Sequence, residues 1–233
     1  MKHRHGFTII EVILFLTISS SLTALLLVAT GTAIQRQQYR EAVQSYASFV
    51  RNQYSRIINV QNDRTQDTAC PIPGVESAAG SKRGQSECVI LGRYISSDDN
   101  EGRQYKSYPV YGHWNGSAWQ YGLGDEDSTY NAQWGTKTRL ADQADGSTKV
   151  SILMYRDPDV GNLTMRTDTI SYNNNSIKDF FDSPDSTVFD GREICVYDTG
   201  WFEKQRQSVS LGARAGSSDA VTVINSSAGC NDA

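Results

Sequence analysis

The sequence predicts an α+β protein: a long N-terminal helix, half apolar and half amphipathic, carrying a mostly antiparallel β-rich head. Three observations predict it. Residues 12–35 contain no charged side chain. From Tyr39 to Ile57, apolar residues recur at steps of three and four. Beyond Arg64, short alternating runs are punctuated by Gly, Ser, Asp and Asn.

Composition narrows the class. The chain has 233 residues, 38% of them hydrophobic, and many of these crowd into the first sixty positions. Charged residues are 21% and the net charge is -4, which excludes collagen-like, strongly basic and fully disordered chains. Of three histidines, His3 and His5 lie at the start and only His113 falls later. That argues against a multi-histidine metal centre or a histidine-based catalytic site.

The first element is the apolar helix. Its 24 uncharged residues from Val12 to Gln35 would be about 36 Å long, enough for a hydrocarbon core of about 30 Å. Lys2 and Arg4 precede it, so the N-terminus is expected on the cytoplasmic side. No Ala-x-Ala site follows a short apolar core, and the run is too long for an ordinary secretory signal. Glu11 sits inside the apolar stretch. A carboxylate at bilayer depth costs about 2–3 kcal/mol, which marks it as a functional candidate in need of a partner.

Gly6-Phe7-Thr8-Ile9-Ile10-Glu11, after a short basic leader and before a long apolar helix, resembles the N-terminal signature of type IV prepilins and pseudopilins. The resemblance covers roughly the first sixty residues. It implies that a prepilin peptidase cuts between Gly6 and Phe7 and that Phe7 becomes an N-methylated terminus. The mature chain would wait in the inner membrane until the pilus assembly machinery draws it into a filament with other pilin subunits. Glu11 would there neutralise the α-amino group of a neighbouring Phe7. Losing either buried partner would cost about 3–5 kcal/mol.

The second half of the stem carries Tyr39, Val43, Tyr46, Val50 and Ile57, flanked by Ala42, Phe49 and Tyr54. This stripe is expected to pack on the head. Arg36, Arg40, Arg51 and Arg56 lie mostly off it. No proline precedes Pro71, so one helix is expected from about Thr8 to Asn59, with Gly31 its weakest interior point. Many major pilins break this helix with a proline, so the resemblance favours a minor pilin or pseudopilin.

In the head, strands are expected at Cys88–Ile95, Gln104–Tyr111, Trp119–Leu123, Val150–Tyr155, Leu163–Tyr172, Glu193–Tyr197, Ser208–Leu211 and Val221–Ile224. Asn115-Gly116 reads as a hairpin turn and Asn173-Asn174-Asn175 as a loop. The chain thus divides into a leader (1–6), an apolar helix (7–35), its amphipathic continuation (36–62) and a head (63–233). All four cysteines, Cys70, Cys88, Cys195 and Cys230, fall in the head. Outside the cytoplasm an even count implies two disulfides, and four cysteines allow three pairings that sequence does not separate. The favoured pairing is Cys70–Cys88, closing a Gly/Ser-rich loop, with Cys195–Cys230 tying down the tail as in many pilins.

Other chemistry is weakly signalled. Acidic clusters at 98–101, at Asp125-Glu126-Asp127 and at Asp157 with Asp159 lack EF-hand spacing and read as solvated loops rather than calcium sites. Aromatic residues crowd 105–134, where strand positions favour core, but Trp114 and Trp119 beside the turn are candidates for binding a surface or glycan ligand. Lys204, Arg206 and Arg214 are the basic residues a DNA-binding tip would use. Residues 64–233 nevertheless hold 16 basic and 23 acidic side chains, a net of -7, which argues against DNA unless the cations are segregated. No nucleophile accompanies His113 and no phosphate-cradling Gly motif occurs, so no catalytic residue, cofactor or metal is expected. The expected role is structural, a minor pilin or pseudopilin. The alternatives are a major pilin, an adhesin or DNA-uptake tip subunit, and a membrane-anchored exoprotein that never polymerises.

Overall fold

In the computed structural model, the described residues are 8–59, 70–75, 88–97, 102–141, 149–182, 192–198, 206–212, 220–225 and 230. One helix, α1 (Ile9–Ile58), accounts for the first group. Thr8 caps it with extended backbone, and the chain leaves it at Asn59, whose N–H reaches back to Ser55 O. Both ends and the uninterrupted run match the sequence expectation. Gly31 does not break it, and no residue between the caps forfeits a backbone donor as a proline would.

The second half of α1 buries Tyr39, Ala42, Val43, Tyr46, Ala47, Val50, Gln53, Tyr54 and Ile57. The predicted stripe is here, with Phe49 at its margin and with Ala47 and Gln53 added to it. It is covered by two antiparallel sheets rather than the one expected. The first holds β1 (Cys88–Ser97), β2 (Gln104–Trp114), β3 (Trp119–Leu123), β4 (Ser128–Asn131), β6 (Ser151–Arg156) and β7 (Leu163–Asp168). Its order is β3-β2-β1-β6-β7, with β4 also on β2. The second has the order β10-β9-β8-β5, formed by β10 (Val221–Ile224), β9 (Arg206–Leu211), β8 (Glu193–Tyr197) and β5 (Lys137–Leu140).

Alternation within the strands sets two cores. Ile95, Ile152 and Met154 face the stem, joining Ile194, Val196 and Val209 of the second sheet around α1. Tyr94, Leu153 and Tyr155 point to the opposite side of the first sheet. There they meet Ile177, Phe180 and Phe181 of the short helix α2 (Ile177–Asp182). The central strands β1 and β6 are therefore buried on both faces over most of their length, Arg93 and Ser151 included. A third cluster gathers Ile72 and Tyr111 about Cys70 and Cys88.

Each expected strand occurs: Trp119–Leu123, Glu193–Tyr197 and Val221–Ile224 with the expected ends, the rest with an end moved by one to four residues. The strand expected to reach Tyr172 stops at Asp168, whose carboxylate accepts from Thr169 N and from the Tyr172 hydroxyl. Those bonds turn the chain off the sheet. The strands β4 and β5 and the helix α2 were not expected. Asn173 Oδ1 accepts from the N–H groups of Asn175 and Ser176, just ahead of α2. Cys70 pairs with Cys88 and Cys195 with Cys230, with Cα separations of 6.0 Å and 5.6 Å.

Candidate assembly and binding surfaces

The first half of α1 is an apolar rod outside the fold. None of its most apolar 18-residue window is buried against the rest of the chain, and the helix is long and apolar enough to cross a membrane. Ile9, Phe15, Leu25 and Leu27 are among the exposed side chains. Most of its hydroxyls bond back into the helix. Thr17 donates to Leu14 O at 2.9 Å, Ser20 to Leu16 O at 2.7 Å, Thr23 to Ser19 O at 2.8 Å and Thr30 to Leu26 O at 2.8 Å. A rod whose hydroxyls mostly bond to its own carbonyls suits an apolar medium.

Gly6 and Phe7 lie outside the described residues. Glu11 stands in the first turn. Its carboxylate accepts from the Thr8 N–H at 2.8 Å and from the Thr8 hydroxyl at 3.0 Å, while Glu11 N donates to Thr8 Oγ1. This capping box holds the acid at the positive end of the helix dipole. Sequence reasoning sought a partner for Glu11 on another chain and overlooked the one three residues away. The Thr-x-x-Glu spacing was the available signal.

Where the rod meets the head, polar clamps begin. Gln35 Nε2 donates to Asp198 at 2.7 Å. One turn later the Tyr39 hydroxyl donates to Val196 O and accepts from Gln207 N. Burial pushes that phenol well above its ordinary pKa. Near the far end, Asp127 lies between Arg56, at 3.3 Å, and the buried Arg93. Gln53 accepts from Ser107 and donates to Ser128. These bonds span both sheets and fix the head on residues 35–58.

The candidate tryptophans face each other across β2 and β3. Their rings lie 5.7 Å apart, tilted by 56°. Trp114 is 48% exposed, and Trp119 donates from Nε1 to Asp159 at 3.2 Å. The connecting residues turn as expected: Asn115 Oδ1 accepts from the N–H groups of Ser117 and Ala118. Gly116 has a φ of +94°, a conformation that favours glycine. The remaining aromatics of this region serve mostly as core. Tyr105 packs on Tyr46 at 5.1 Å, and Tyr121 stacks on Phe181 at 3.9 Å, its burial raising the phenol pKa to about 12. Trp134 differs: it is 55% exposed and has a φ of +56°.

No protein-family model, curated protein or solved structure matches the chain.

The acidic clusters are drawn into local structure. Glu126 pairs with Lys106 at 3.5 Å, and Asp127 with Arg93 and Arg56. Asp157 accepts from the N–H groups of Asp159 and Val160. Among the described residues no group of three or more His, Cys, Asp or Glu is placed to hold a metal ion. Residues 98–101, Lys204 and Arg214 lie outside the described residues. Arg206 is exposed at the start of β9. His113 lies opposite Gln120 in the β2–β3 ladder.

Proposed function

We propose that this chain is a structural subunit of a type IV pilus-like filament, a minor pilin or pseudopilin. One observation carries the reading: half of a continuous 50-residue helix is an exposed apolar rod, while the other half is clamped into a head. Such a rod is stable in a bilayer or among like rods, not in water. The hexapeptide Gly6–Glu11 stands at its start. A prepilin peptidase removes the leader after Gly6, and Phe7 becomes a methylated N-terminus. The chain waits in the inner membrane with its N-terminus cytoplasmic and its head outside. The assembly machinery then draws it among other pilin subunits.

Glu11 takes part twice in this scheme. In the single chain it caps α1 through Thr8. In the filament it supplies the counter-charge for a neighbouring Phe7 amine, whose pKa is near 8. The rod packs with other rods and the disulfide-bonded head faces outward.

The deciding experiment is to shear surface filaments from native cells and quantify the chain's N-terminal peptide by mass spectrometry. A methylated Phe7 peptide at trace level supports a minor subunit. High abundance makes it the major pilin. Processed protein confined to the envelope supports a pseudopilin. An uncut N-terminus in every fraction overturns the reading and favours an anchored exoprotein.

A second reading, adhesin, rests on Trp114. It is exposed at the end of β2, about 30 Å along the strand from the stem-packed Tyr105. Loss of surface attachment in a folded Trp114→Ala/Trp119→Ala variant supports it, and unchanged attachment assigns the pair to hairpin packing.

A further inference from the structure

The outer face of the first sheet continues past the reach of α2. Phe181 covers that face at Tyr121, where the two rings stack at 3.9 Å. Strand alternation puts Gly112, Trp114 and Trp119 on the same face, toward the β2–β3 turn. Trp119 is braced there on three sides. Its indole lies over Gly112, where a β-carbon would stand 3.4 Å from Cε3 and would collide with Leu91. Trp114 flanks it, with ring centres 5.7 Å apart. Its Nε1 donates to Asp159 Oδ1 at 3.2 Å. Trp114 is the more exposed ring of the pair.

Asp159 is held as well. It sits in a turn where the Asp157 carboxylate accepts from the N–H groups of Asp159 and Val160. One Asp159 oxygen takes the Trp119 proton, and among the described residues the other, Oδ2, meets no donor. Val160, the next residue, is exposed. An indole face, a carboxylate oxygen and an aliphatic side chain thus share one corner of the head.

We propose that this corner binds a neutral saccharide, with Trp114 as the stacking platform and Asp159 as the hydroxyl acceptor. The inference deepens the adhesin reading and rests on it. A pyranose has a face of C–H groups and a rim of hydroxyls. The C–H face suits the electron-rich face of an indole. A carboxylate only accepts, so it pairs with groups that donate, as rim hydroxyls do. An apolar partner surface would instead bury the Asp159 oxygen without a donor. An acidic sugar group placed on it would meet like charge. Because Trp119 and Asp159 are already held, little side-chain freedom is lost on binding.

The test places the full chain in phosphatidylcholine nanodiscs, which carry no sugar headgroup, and adds cellotetraose, lacto-N-neotetraose or sialyllactose. Saturation-transfer NMR reads which sugar protons touch the protein. Transfer to the ring C–H protons of at least one neutral tetrasaccharide is expected, with weaker transfer to sialyllactose. Trp114→Ala should weaken binding by roughly tenfold, and Trp114→Phe should recover part of it. Asp159→Asn keeps an acceptor for Trp119 and should weaken binding severalfold. No transfer to either neutral sugar, stronger transfer to sialyllactose, or binding unchanged in Trp114→Ala overturns the proposal. Attachment lost in the Trp114→Ala/Trp119→Ala variant, without saccharide binding by the parent chain, keeps the adhesin reading and overturns the saccharide. Saccharide binding with attachment unaffected keeps the site and defeats the adhesin reading.

Discussion

The Tyr39 hydroxyl donates to the Val196 carbonyl at 2.7 Å, joining stem to sheet across 157 positions of sequence. The same oxygen accepts from Gln207 N. Tyr39→Phe keeps the ring but leaves a buried carbonyl and an amide without this partner. The expected cost is about 1–3 kcal/mol, read as a lower denaturation midpoint with an unchanged denaturant slope.

Alkaline pH should weaken the fold. Burial holds the Tyr121 phenol at about 12, and it also raises Tyr39, Tyr46, Tyr94 and Tyr172 above the ordinary 10.0. The unfolded chain loses these protons near pH 10 while the folded one keeps them. Stability is therefore full below about pH 10 and falls between about 10 and 12. Denaturation midpoints that stay level across that window would contradict the burial of these rings.

Asp127→Ala removes the carboxylate between Arg56 and Arg93. Arg93 is buried and, among the described residues, keeps the neutral Ser107 hydroxyl at 3.3 Å. A loss of roughly 2–3 kcal/mol is expected, below the full cost of orphaning a buried charge because Asp127 is partly solvated. Arg56→Ala alone, at the more exposed partner, should cost less than about 1 kcal/mol.

The two disulfides close loops of different length. Cys70–Cys88 spans 18 positions and Cys195–Cys230 spans 35. Loop-closure entropy assigns them about 3 and about 4 kcal/mol respectively. Paired Cys→Ser variants should rank in that order by chemical denaturation.

At the N-terminus, Gly6→Lys is expected to block leader removal, seen as an uncut band. Glu11→Ala should be processed normally but enter filaments poorly. Thr8→Val removes only the hydroxyl half of the capping box. Its expected effect is about 1 kcal/mol on the helix start, detectable as faster amide exchange over the first turn of α1. A processed and fully assembled Gly6→Lys chain would defeat the proposed function.

The stem was legible because each of its signals is local. Thr8 and Asn59 are polar stop residues, and the stripe from Tyr39 to Ile57 repeats within one helix. Gln53 was not legible. It is polar yet buried on that stripe because Ser107 and Ser128, far along the chain, satisfy its amide. Likewise β4 (Ser-Thr-Tyr-Asn) and β5 (Lys-Thr-Arg-Leu) are too short and polar to show a period, and tertiary pairing alone makes them strands. The division into two sheets depends on the chain crossing from β4 to β5 beside the stem, past Trp134 in its left-handed conformation, which no propensity announces. In the candidate surfaces, Trp114 and Trp119 were readable from the turn between them. The Asp159 carboxylate that holds Trp119 comes from the connection between two other strands.

The unbroken α1 also has a mechanical side. The head grips it from Gln35 onward, so residues 9–34 project as a cantilever of about 39 Å with no hinge along it. A tilt of the head by about 10° swings the tip near Glu11 sideways by about 7 Å over such a length. Whatever pushes on the head is thus felt at the first turn of the helix, and whatever grips that turn steers the head.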